Sequence, residues 1–156
     1  MPADGTAECQ RRAKSLPMER VTLSGDAEGV SEGLATLFMR PFLARLTEDS
    51  RGTARIVLAE ALNNIAEHAY ASHRGAIDLQ IAAHDGFLQV RLVDTGLPMP
   101  GGMLPAGKLS PHGELADLPE GGFGWYLIRS LTKDLTFRRE GSNNMLSFCL
   151  DVEYQP

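Results

Sequence analysis

The sequence predicts an α+β fold: a two-layer α/β sandwich, with helices covering one face of a mixed, mostly antiparallel sheet. Two observations carry that prediction. Apolar side chains recur at helical spacing over 27–46 and again over the stretch that ends near Ala71. Elsewhere they alternate as strands do, over 77–83, 88–94, 135–140 and 145–153, with turn signals between successive runs. At 156 residues the chain reads as one domain, long enough to bury a real core.

In chain order, residues 1–18 are polar and predict a flexible N-terminal tail ahead of a domain spanning 19–156. Arg20 to Ser24 reads as a short strand. Gly25-Asp26 then offers a turn and a helix N-cap. Val30, Leu34, Leu37, Phe38, Phe42 and Leu46 mark one helical stripe, which Pro41 predicts to be kinked or split. Ser50 or Thr53 caps a second helix running to about Ala71. Ile56, Ala59, Leu62, Asn63 and Ala66 form one stripe on it, and Glu60, Asn64, Glu67, His68 and Ala71 an adjacent one. His73-Arg74-Gly75 ends that helix. Ile77, Leu79, Ile81 and Ala83 alternate in one strand, and Leu88, Val90 and Leu92 in the next, around a His84-Asp85-Gly86 hairpin signal. Continuing the second alternation turns Asp94 toward the covered face, where a carboxylate needs a partner. Residues 97–121 carry Pro98, Pro100, Pro105, Pro111 and Pro119 with little periodicity, and a loop that long is usually functional. Gly124 to Thr132 reads as a helix. Leu135–Glu140 and Met145–Glu153 read as two last strands, joined by Gly141-Ser142-Asn143-Asn144.

Composition removes several functions. A net charge of -5 argues against nucleic acid, which asks for a basic face. Phosphates of a nucleotide can instead be held by backbone N–H groups and Mg²⁺. Cys9 and Cys149 are the only cysteines, so neither a disulfide framework nor a zinc site is expected; they read as a tail thiol and a small core side chain. No apolar run approaches the ~20 residues of a membrane helix, and the expectation is a cytoplasmic protein with no membrane role.

Three segments carry candidate chemistry. Glu60 and Asn64 lie four apart on one helix and leave the same face. A magnesium ion on a triphosphate needs few protein ligands, so one carboxamide oxygen suffices, and a carboxylate one turn away can act as a base. As a pair alone, they read first as exposed helix polar residues, since Glu and Asn are common on helices. Asp94 with Gly96 suits an adenine, the carboxylate accepting from the exocyclic amine and the glycine admitting the base; by itself the pair also reads as a strand-end turn. Gly121, Gly122 and Gly124 precede a helix whose N-terminus favours anions, though Gly-x-Gly alone is a weak signal. No Gly-Lys-Ser/Thr follows, so this is not a Walker A loop. His68, one turn beyond Asn64, reads as a packing or hydrogen-bonding residue beside the pocket, with a catalytic or metal role as the alternative. Trp125 reads as core or lid packing, and Lys108 as within reach of a terminal phosphate.

Jointly, from about Val21 to Val152, these segments resemble the ATP-binding domain shared by gyrase B, MutL and sensor histidine kinases, the GHKL or Bergerat fold. Within it the likeness is closest to the bacterial serine-protein kinase and anti-sigma factor family (RsbW- and SpoIIAB-like). Glu60 to Tyr70 is similar to that family's N-box, Val93-Asp94-Thr95-Gly96 to its adenine motif, and Leu118 to Ile128 to its second glycine box. The resemblance implies ATP and Mg²⁺ as cofactors, Glu60 as catalytic base and Asn64 as magnesium ligand. It implies Asp94 and Gly96 at the adenine, Gly122 and Gly124 under the phosphates, and His68, Phe123 and Trp125 among the nucleotide-binding residues. Residues 97–121 would be the ATP lid, here without an arginine. The nucleotide would lie between helices and sheet. The implied activity is phosphorylation of a serine on a STAS-domain anti-anti-sigma protein, with a sigma factor as a second partner and homodimerisation through 27–46. The alternative is a module that sequesters such a partner in an ATP-dependent way without kinase activity. A free-standing sensor kinase needs a phospho-accepting histidine, and residues 1–20 contain none.

Overall fold

The computed structural model describes residues 18–107 and 122–156. Its strands are β1 (Glu19–Ser24), β2 (Ala76–His84), β3 (Phe87–Asp94), β4 (Lys133–Glu140) and β5 (Asn143–Asp151). They form one sheet in the order β1-β2-β3-β5-β4, and all four neighbouring pairs are antiparallel. The helices are α1 (Ala27–Phe38), the single turn α2 (Pro41–Ala44), α3 (Glu48–Asn64) and α4 (Gly122–Leu131). The architecture is the α+β sandwich that the sequence predicts, and the parallel pair implied by a mixed sheet does not occur among the described residues.

Period-two patterning builds the sheet's inner face. Ile77, Leu79 and Ile81 on β2, and Leu88, Val90 and Leu92 on β3, are all fully buried, and Leu146, Phe148 and Leu150 on β5 join them. The β2–β3 hairpin turns at Gly86, whose φ of 88° is left-handed, as the His84-Asp85-Gly86 signal requires. Asp94, at the end of β3, faces inward and is 4% exposed.

The helices cover that face. Asp26 caps α1 by accepting from the Gly29 N–H at 2.7 Å, and this bond with the Ser24 hydroxyl holds its carboxyl below the usual range. The chain splits at Pro41, which opens α2 in its first turn. The start of α3 differs from expectation. Thr47, not Ser50 or Thr53, is the cap, accepting from the Ser50 N–H. The buried stripe also differs: Ala54, Val57, Leu58, Ala61, Leu62 and Ile65 face the sheet, whereas Ile56 is 47% exposed. Those six residues follow i, i+3, i+4, i+7 spacing more closely than the stripe centred on Ile56 and Ala59, and packing between β-sheet and α1 selects the better one.

Cys149 is buried on β5 and disulfide-bonded, so the expectation of a free core thiol fails; the chain's other cysteine lies outside the described residues. No helix among the described residues is long and apolar enough to cross a membrane.

Candidate functional site

At its C-terminal end α3 does not stop but widens. Ile65–Ala69 form a π-helical turn directly after Asn64, and Tyr70 leaves the helix with φ of −109°. This turn docks on the end of β3. The Ala69 carbonyl accepts from the Leu97 N–H at 2.8 Å. The Tyr70 hydroxyl accepts from the Thr95 N–H at 2.9 Å and donates to the Ala76 carbonyl at 2.7 Å. Gly96 is buried against Ala69, whose carbonyl occupies the space a Cβ would need. The glycine therefore has a packing reason of its own, besides any approach of a ligand.

Between this brace and the sheet lies a cavity of about 210 Å³. Ala61, Ile65, Trp125 and Leu146 give it apolar walls, Leu97–Pro100 form its rim, and its polar groups are few: Asn64, His68, Asp94 and Asn144. Asp94 accepts twice at Oδ1, from the Gly96 N–H at 2.9 Å and from Asn144 Nδ2 at 2.8 Å. Asn144 Nδ2 also donates to the Leu97 carbonyl at 2.9 Å, and Asn144 Oδ1 accepts from Arg139 Nη1 at 2.7 Å. Arg139 Nη1 reaches the Gly96 carbonyl at 3.2 Å as well.

A second polar corner adjoins the cavity. Glu60 and Asn64, one turn apart on α3, both face Gly124 in the first turns of α4. A Cβ on Gly124 would lie 2.6 Å from Glu60 Oε2 and 3.6 Å from Asn64 Nδ2. Asn64 is 8% exposed, and its Nδ2 is buried with no hydrogen-bond partner among the described residues. Such a group is costly to leave unmade, and this one stands beside Gly124.

The predicted residues thus converge unequally. Asn64, His68, Asp94 and Trp125 line the cavity, with His68 exposed in the π turn and Trp125 5% exposed in the core. Glu60 and Gly124 stand together at its flank, Gly96 lies behind Asp94, and Gly122 and Phe123 open α4. Lys108 and Gly121, with most of the expected lid, lie outside the described residues. Asn144 and Arg139 are absent from the sequence reading, which placed Asn144 in a turn. Their signal was available: Asn144 continues the inward alternation of Leu146, Phe148 and Leu150, the same logic that turned Asp94 inward.

Residues 25–150 match the family described as the histidine kinase-like ATPase domain. The chain belongs to that family. Its membership implies ATP as the nucleotide. Among curated relatives, the serine-protein kinase RsbW of Bacillus mycoides (strain KBAB4) is 28% identical over 101 residues, covering 63% of this chain and 62% of the relative. RsbW of Bacillus cereus (strain B4264) is 28% identical over 95 residues, covering 59% of each. The chain thus spans about three fifths of the length of the curated relatives it matches. Among solved structures, the histidine kinase AdeS of Acinetobacter baumannii aligns over 93% of this chain and 76% of its own, at 13% identity and a TM-score of 0.42.

Proposed function

We propose that this histidine kinase-like ATPase domain is an ATP-dependent serine-protein kinase and anti-sigma factor of a partner-switching pathway. Its substrate would be a serine on a STAS-domain anti-anti-sigma protein, and a sigma factor its second partner. The observation that carries the reading is the pairing of two corners: an inward carboxylate, Asp94, at the floor of an apolar cavity, and Glu60 with Asn64 facing the bare Cα of Gly124 beside it. The similarity to serine-protein kinases named RsbW supports the choice of acceptor.

The residues present fit a magnesium–nucleotide complex. Gly124 leaves space at the helix N-terminal end, and the unpartnered Asn64 Nδ2 beside it is a donor suited to a phosphate oxygen, while the oxygen of the same carboxamide is the atom that could face the ion. A magnesium ion on a nucleotide takes most of its ligands from phosphates and water, so a single carboxamide oxygen is enough from the protein. When bound, Mg²⁺ would neutralise charge on the phosphates. Asn64 would ligate it, Asp94 would hold the base, and Trp125 with Ile65 would exclude water from the base. Glu60 would accept the proton of the attacking serine hydroxyl; positioning and electrostatics would supply the rest of the rate.

The test is transfer from γ-labelled ATP to STAS-domain proteins, with titration calorimetry on the same preparations. Glu60→Ala should lower transfer by at least about 10²-fold while ATP affinity stays within about threefold. Loss of ATP binding in that variant would refute the role given to Glu60. ATP binding by the unaltered chain without transfer to any STAS protein would leave the sequestering module as the function.

A further inference from the structure

Asp94, Asn144 and Arg139 form a single rung across three strands. Register pairs Asp94 of β3 with Asn144 of β5, and Asn144 with Arg139 of β4. The hydrogen bonds follow that rung, and their sense is fixed. Asn144 Nδ2 faces the Asp94 carboxylate and the Leu97 carbonyl, while Asn144 Oδ1 faces the Arg139 guanidinium. A flipped carboxamide would set oxygen against two acceptors and NH₂ against a cation, so only one orientation is compatible with the surroundings.

The consequence falls on Asp94. Two donors, the Gly96 N–H and Asn144 Nδ2, converge on Oδ1 and fix the carboxylate plane. No described residue donates to Oδ2, and Asp94 lines the cavity. Resting on the nucleotide-binding reading above, we propose that Asn144, oriented by Arg139, is a positioning residue that reserves Asp94 Oδ2 for an exocyclic amine, so that the site selects a 6-aminopurine. An amine gives Oδ2 a charge-assisted hydrogen bond. A 6-oxo group presents an acceptor to a fixed carboxylate and is rejected, and a purine unsubstituted at position 6 gains nothing there. Without Asn144 the carboxylate can rotate, and the discrimination weakens with it.

Calorimetric titration with Mg²⁺ and three nucleotides separates this role from a merely structural one: ATP, inosine triphosphate and purine riboside triphosphate. The unaltered protein should prefer ATP. Asn144→Ala should weaken ATP about tenfold while purine riboside triphosphate changes by less than about twofold. Arg139→Ala, on an exposed strand, should show the same amine-dependent pattern at about threefold. Equal weakening of ATP and purine riboside triphosphate in both variants would overturn the proposal, as would an unchanged ATP affinity. If Asn144→Ala fails to fold, Arg139→Ala decides between these outcomes. Failure of the unaltered protein to bind any of the three would overturn the nucleotide reading itself, and this proposal with it.

Discussion

At the sheet end of the cavity, Asp94 is held by Gly96 and Asn144, Asn144 by Arg139, and Thr95 by Tyr70. At the helix end, a few residues away along α3, Asn64 Nδ2 is buried with no partner and Glu60 stands against a glycine. At the first corner the bonds that orient the Asp94 carboxylate are made before any ligand arrives. The second leaves one unmade. A finished network is rigid and selects by shape and donor pattern; an unfinished one costs stability in the free protein, about 1–3 kcal/mol for one buried group, and regains it only when something binds. The contrast predicts that mutations at the two corners act on stability with opposite sign.

Tyr70→Phe should show the largest stability effect. The ring would keep its seat, packed where Gly25 and Gly75 leave room for it. Its hydroxyl, however, satisfies both the Thr95 N–H and the Ala76 carbonyl. Removing it strands two backbone groups and should cost about 2 kcal/mol, a fall of about 6 °C in Tm by circular dichroism. A loss below about 0.5 kcal/mol would mean that the π turn and β3 are not braced through this hydroxyl.

Asn64→Leu should do the reverse. It removes an unpaired buried donor and keeps a side chain of similar size, so stability should hold or rise by about 1 kcal/mol. Mg²⁺-dependent ATP binding, read by calorimetry on the same sample, should be lost. A variant that is clearly less stable would show that Asn64 is bonded in solution, and the opposition between the corners would disappear.

Much of this was legible in the sequence because β-alternation is strict. Asp94 could be turned inward from Leu88, Val90 and Leu92 alone, and the Asp26 cap and the break at Pro41 follow from local chemistry. The face of α3 was misread because two adjacent stripes both look apolar, and only tertiary packing decides between them. The π turn has no simple local signature. The Asp94–Asn144–Arg139 rung joins residues up to 50 apart and needs the register of three strands before it exists at all. The candidate residues on α3 can be read from their neighbours along the helix; the residues that hold Asp94 cannot, because their reason for being polar lies on other strands.

The smallest effect sharpens the same point with two glycines, one on α3 and one on α4. Gly52 and Gly124 are both helical glycines, and only one of them has a neighbour in the way. A Cβ at Gly124 meets Glu60, whereas a Cβ at Gly52 meets nothing within 4 Å. Gly52 is exposed inside α3, eight residues before Glu60. It carries the entropic cost of glycine in a helix interior with no return in packing, so Gly52→Ala should add about 0.5–1 kcal/mol. ATP affinity should not change, since nothing in the cavity touches that face. If Tm fails to rise in a chemical or thermal melt, the first turns of α3 are not held as helix in solution. If Tm rises and affinity falls together, the two ends of α3 are coupled, and the unmade bond at Asn64 depends on the whole helix rather than on its last turn.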